Sequence, residues 1–246
     1  MGKKIKYIQI YGERNSGTNY LDKLLQKNIS EVEIGYKYGW KHGYTNLKKI
    51  LKTDNKNTLF IHITKDPYAW LSSMHEKPHH APQLYFKSFE EFIRSEWACY
   101  KGKQYQIRAK NLDKEPLLPE DEMMRERNPV TGQRYENVCE LRNAKMHRYI
   151  RLEKFVENYK HIQYENLLRS REMVFQQLAE EYSLKVNDTI LNDSGYHGKN
   201  PTQNFSKLEF YNNKEYLKKY SKEDIKYVNT IINFKNENIL GYERVT

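Results

Sequence analysis

The residues with chemistry to offer gather first in the stretch Gly12-Glu13-Arg14-Asn15-Ser16-Gly17-Thr18-Asn19. Gly12 and Gly17 have the spacing of the two glycines of a phosphate loop, and Thr18 follows at once. A glycine turn that opens a helix offers an anion its backbone N–H groups, backed by the positive end of the helix dipole. Ser16, Thr18 and Asn19 add side-chain donors, Asn15 lies in the same turn, and Arg14 brings a fixed positive charge. An ATP or GTP loop has a lysine between its second glycine and the Ser or Thr; here Thr18 adjoins Gly17 directly. A second group is Lys65-Asp66-Pro67, with Ser73 eight positions after Lys65. Helical spacing carries Ser73 back toward the helix face while Lys65 stays at its mouth, so the two can grip a further phosphate. Taken singly, the first segment also fits a purely structural strand-to-helix turn, and the second an ordinary charged helix start.

Such side chains need a strand before each turn and a helix after it. Residues 5–11 alternate as a strand, and 18–28 read as a helix with Tyr20, Leu21, Leu24 and Leu25 on one face. Residues 32–38 make a second strand, ending in "GWKHG", and 58–64 a third, before a helix led by Pro67. Helical period returns at 88–100 and 138–156; 159–164 is a short strand followed by a helix over 165–182; 187–206 reads as a loop. Ser221 with Asp224 marks a further helix start. Residues 101–135, dense in charge and carrying Pro116, Pro119, Pro129 and Gly132, read as an insertion or acceptor-side loop. Arg142, Lys145 and Arg148, at spacings of three, read as a solvated basic face, with a basic wall for an acidic acceptor as the alternative. The alternation of strands and helices predicts a single α/β domain over 1–246, three-layer α/β/α around a central parallel sheet. In such sheets ligands bind at the carboxyl ends of the strands. That brings 12–20, 40–43, 65–73 and 164–166 together.

With these elements in order, the chain resembles the sulfotransferases that use 3′-phosphoadenosine 5′-phosphosulfate (PAPS). Ser16-Gly17-Thr18 matches their Ser-Gly-Thr loop, Lys65, Pro67 and Ser73 match an Arg-x-Pro-x-x-x-x-x-Ser element with Lys for Arg, and Tyr164-Glu165-Asn166-Leu167 matches Tyr-Glu-Asp-Leu. The resemblance, which also takes in the closing "ILGYERV", implies a P-loop-like strand-loop-helix, PAPS as donor, adenosine 3′,5′-bisphosphate (PAP) as product and no metal. It implies that the 16–18 loop holds the 5′-phosphosulfate, that Lys65 and Ser73 hold the 3′-phosphate, and that Tyr20 and Tyr164 meet the adenine. Both rings would serve equally well as core tyrosines. Lys199, in "YHGKNP", is the nearest match to the family's basic segment around the 3′-phosphate. The family's general base is a His in a Lys-x-His element; here Lys41 and His42 are adjacent, so the register departs, and His42 is the expected base. Relatives keep Lys just before Ser-Gly-Thr, at the bridging oxygen. This chain has Asn15 there, and Arg14, with Lys41, is expected to supply the cation.

Composition narrows the partners. The 246 residues carry a net charge of +10, are 38% hydrophobic and include 21 tyrosines, and so suit a folded basic protein with anionic partners. No zinc-finger or RNA-recognition pattern favours nucleic acid. Cys99 and Cys139 form no CxxC motif, and a disulfide framework is not expected. No stretch is long and apolar enough to span a membrane, and a soluble cytoplasmic protein is the expectation. The acceptor, a hydroxyl or amine on a glycan, lipid, small molecule or protein, stays open. Three other readings stand beside the sulfotransferase: a P-loop kinase or NTPase with Asp66 as its magnesium residue, a basic nucleic-acid-binding protein, and an inactive PAPS-binding module.

Overall fold

The structure, a computed structural model, describes residues 4–102, 105–189 and 201–246. The chain runs through β1 (Tyr7–Tyr11), α1 (Thr18–Asn28), β2 (Ile29–Ser30), β3 (Glu33–Gly35), α2 (Leu47–Lys52), β4 (Thr58–Thr64), α3 (Pro67–Glu76), α4 (Phe89–Arg94) and α5 (Tyr105–Lys110). It continues through α6 (Val138–Leu152), β5 (Tyr159–Gln163), α7 (Tyr164–Arg169), α8 (Arg171–Tyr182), β6 (Lys185–Val186), α9 (Pro201–Asn212), α10 (Lys222–Ile231) and α11 (Phe234–Ile239). Two compact units divide it: Met1–Asp66 with His147–Glu215, and Pro67–Met146 with Tyr216–Thr246.

The first unit holds a four-stranded parallel sheet in the order β3-β1-β4-β5, the core of a mixed α/β fold consistent with three layers. Alternation along each strand sorts its side chains by face. Ile8, Ile10, Leu59, Ile61, Ile63 and Ile162 join Leu21, Leu24 and Leu25 of α1 and Phe175 and Leu178 of α8 in one apolar core. The opposite face is aromatic and polar: Tyr11 stacks on Tyr149 of α6 at 5.9 Å, His62 lies 4.7 Å from the same ring, and Tyr38 packs on Phe60 at 5.0 Å. A short antiparallel pair, β2 with β6, adds a second small sheet. The chain leaves β1 to one side for β3, then crosses back to β4 on the other side. The crevice outside the carboxyl ends of β1 and β4 is therefore a topological switch point.

The second unit is helical and held by ion pairs. Arg142 donates to both oxygens of Glu237 at 2.7 and 2.8 Å, and Lys145 pairs with Glu126 at 3.1 Å. The 101–135 segment lies wholly in this unit, with α5 and two 3₁₀ turns inside it. It is knotted around Glu122, which accepts from Arg127 and Arg134. Those hydrogen bonds hold the Glu122 carboxyl down at about 2, against the raising effect of burial. Cys99 and Cys139 are buried thiols, not a disulfide. Among the described residues no helix is long and apolar enough to cross a membrane.

Several expectations are corrected. The second strand is only Glu33–Gly35, because β1 side chains take the next amides: Lys37 N–H donates to the Tyr7 hydroxyl and Tyr38 N–H to Gln9 Oε1. The helix expected over 88–100 stops at Arg94, and Trp97 turns away to pair with Tyr135. The helix expected over 165–182 breaks at Ser170 (φ −145°, ψ 57°) into α7 and α8. Of the 187–206 loop, residues from Pro201 on are helical. Arg142 and Lys145 are not solvated; they are 0% and 1% exposed, neutralised by acids distant in sequence.

Candidate functional site

The loop from Gly12 to Gly17 crosses the switch point because its backbone can approach where a side chain could not. A Cβ on Gly12 would lie 2.5 Å from the Ile63 carbonyl oxygen of β4. Gly17 has φ +93°, and a Cβ there would meet Tyr164 Cδ2 at 2.3 Å, so any other residue would be both strained and blocked. Asn15 also has positive φ, 60°, a conformation Asn tolerates better than most side chains. Ser16 Oγ donates to the Glu13 carbonyl at 2.7 Å, which folds the turn on itself. Gly17 is the N-cap of α1, with no side-chain cap and no acidic residue in the first turn. Those two features, which usually satisfy or offset a helix start, are missing from the end that faces the crevice.

At the Gly12 end the loop is tied to the segment after β3. Gly12 N–H donates to the Lys41 carbonyl at 3.0 Å, and the Gly12 carbonyl lies 2.9 Å from His42 Nδ1. A carbonyl only accepts, so Nδ1 carries the hydrogen and Nε2 is the lone-pair nitrogen of the neutral ring. Arg14, 4% exposed, lays its guanidinium on the Trp40 ring, 4.9 Å from the centre. Trp40 also meets the His42 ring edge to face at 5.3 Å. Lys41 does not join this group. Its ammonium meets Asn19 Oδ1, the Tyr36 hydroxyl at 3.1 Å and Asp22 at 3.8 Å. Burial pulls its pKa below the ordinary lysine value, opposed by Asp22.

At the Gly17 end stands a second cation. Lys65, just past β4 and 5% exposed, places Nζ 4.5 Å from the centre of the Tyr164 ring and 5.4 Å from that of Tyr211. Tyr164 packs edge to face with Tyr20 at 6.3 Å and with Tyr211 at 5.4 Å. Burial raises the hydroxyl pKa of Tyr164 and of Tyr20. Both rings are 3% exposed and belong to the apolar core. Asp66 N–H donates to Glu165 at 3.0 Å, which joins the end of β4 to α7.

The fold thus brings Arg14, Asn15, Ser16, Gly17, Thr18, His42, Lys65 and Tyr164 to the carboxyl ends of β1 and β4 in the first unit. Asn19 and Lys41 pair with each other on the side of α1. Ser73 lies on α3 in the second unit, its hydroxyl donating to the Ala69 carbonyl at 2.9 Å. Lys199 lies outside the described residues. Four residues had no role from the sequence: Trp40 and Tyr211, which hold the two cations, Glu13, a carboxylate 2% exposed within the loop, and Tyr36 beside Lys41. The "GWKHG" stretch carried the Trp40 signal, since an aromatic two residues before a candidate base is worth testing as its wall. Tyr211 had no such signal. Comparison with protein-family models, curated proteins and solved structures finds no match.

Proposed function

We propose that this protein is a sulfotransferase that moves a sulfuryl group from PAPS to a hydroxyl or amine acceptor. The supporting observation is one loop with a ring-stacked arginine and an oriented histidine at one end and a buried lysine at the other. A cation at each end of one loop suits a nucleotide with two separate anionic groups better than one with a single polyphosphate tail.

In the proposed reaction His42 Nε2 takes the proton of the acceptor as the acceptor oxygen or nitrogen bonds to sulfur. The bond from sulfur to the bridging oxygen breaks in line, and that oxygen leaves on PAP with the extra negative charge. Arg14 and the N–H groups at the start of α1 stabilise that charge, and the loop and Lys65 supply the positioning. Arg14 stands in for the lysine that the resemblance expects at Asn15, a position whose left-handed backbone suits Asn. Tyr20 and Tyr164 act here as walls of the site, consistent with their burial.

A thermal-unfolding panel tests this reading. PAP raises the unfolding temperature, by about 2.7 kcal/mol of added stability at a hundredfold excess over Kd, while ATP with magnesium and GTP leave it unchanged. Stabilisation by ATP with magnesium and not by PAP would make the protein a P-loop kinase or NTPase. Salt-sensitive binding of RNA or DNA with no nucleotide response would make it a nucleic-acid binder.

A further inference from the structure

Lysine is a mobile cation: four methylenes separate its charge from the backbone, and ordering them costs rotamer entropy each time a ligand is bound. Lys65 is ordered beforehand by two rings. Tyr164 and Tyr211 meet at 77°, edge to face, and the Lys65 ammonium lies over both of them. Tyr164 opens α7 and is pressed by Gly17. Tyr211 comes from α9, which is fastened to α7 by Arg169 Nη2 donating to Asn212 Oδ1 at 3.3 Å. Phe210 braces Tyr211 edge to face at 5.4 Å. A ring face attracts a cation without cancelling its charge. The pair therefore constrains where the charge sits.

We propose that Tyr211 is a positioning residue that, with Tyr164, fixes the Lys65 ammonium at the Gly17 end of the crevice and so makes the site prefer a nucleotide with two separated phosphates over one with a single 5′-phosphate. This rests on the nucleotide reading of the crevice given above. Tyr211 reaches ligand only through Lys65.

The test compares wild type, Tyr211→Phe and Tyr211→Leu, with Tyr211→Gln as a second ring deletion should Leu disturb folding. Calorimetric titration with PAP and with adenosine 5′-monophosphate gives affinities, and NMR gives the shift of the Lys65 ε-methylene protons, which the two rings displace upfield. Deleting the ring weakens PAP binding about tenfold, changes monophosphate binding less than about twofold, and returns the Lys65 shift toward its free-lysine value. Tyr211→Phe behaves as wild type in all three. Unchanged PAP affinity and an unchanged Lys65 shift on ring deletion would overturn the positioning role. A Phe variant as weak as the Leu variant would overturn it too, by assigning the effect to the hydroxyl. Failure of wild type to bind PAP would overturn the nucleotide reading itself, and the Lys65 shift would still report on the clamp.

Discussion

In the second unit Arg142 and Lys145, 0% and 1% exposed, sit against the carboxylates of Glu237 and Glu126. In the first unit Arg14 and Lys65, 4% and 5% exposed, sit over the rings of Trp40, Tyr164 and Tyr211. All four are buried cations, but the company differs. A bidentate carboxylate neutralises a guanidinium and uses its N–H edge, so the pair serves the fold. Arg142 also touches Trp70 at 5.1 Å, yet Glu237 takes its donors. An aromatic face attracts a cation through its ring quadrupole without cancelling its charge. On the proposed reading, Arg142 and Lys145 serve the fold, while Arg14 and Lys65 serve a ligand.

The largest effect tests the carboxylate side. Arg142→Met leaves Glu237, 1% exposed, as a buried charge without its bidentate partner. It should cost about 3–5 kcal/mol, read as a lowered midpoint in urea unfolding. On the ring side, Arg14→Ala should fold as wild type by circular dichroism and lose about 10²–10³-fold in sulfuryl transfer from PAPS, about 2.7–4 kcal/mol of transition-state stabilisation. Full activity in that variant would remove Arg14 from the mechanism. Gly17→Ala joins the two kinds of effect. Its methyl collides with Tyr164 at a left-handed φ, so about 1–3 kcal/mol of stability should go, and PAP affinity should fall as Tyr164 shifts under Lys65.

The smallest effect is a pH slope. Glu122 has its folded pKa depressed from 4.5 to about 2 by hydrogen bonds from Arg127 and Arg134. Its contribution is therefore fully present above pH 4.5 and is lost as pH falls through 2. Glu122→Gln should lower the unfolding midpoint at pH 7 and flatten the fall in stability between pH 4.5 and 2. Asp224, also depressed, titrates in both proteins and cancels in the difference. An unchanged slope would show that the Glu122 cluster does not tie the 119–135 segment down.

How far the sequence could be read follows the same division. Residues 58–64 and 18–28 announced β4 and α1 with their true bounds, because their periodicity comes from burial alone. The loop was legible because glycines mark backbone conformation, and Gly17 is indeed left-handed. The partners of cations were not legible. Arg142 finds an acid 95 residues away and Lys145 one 19 residues away, and neither separation leaves a local pattern. Lys65 likewise meets a ring from α9, a helix whose start at Pro201 the polar, loop-like composition concealed. The break at Ser170 involves neither Gly nor Pro, the residues that announce such breaks.

The most direct test is the substitution Lys65→Met, followed by calorimetric titration with PAP and by urea unfolding on the same protein. Met keeps the stem and its packing against Tyr164 and Tyr211 while removing the charge. The account predicts an unfolding free energy within about 1 kcal/mol of wild type and PAP affinity reduced at least tenfold. Wild-type PAP affinity in a destabilised Lys65→Met protein would mean that this cation serves the fold, as Arg142 does, and would contradict the account.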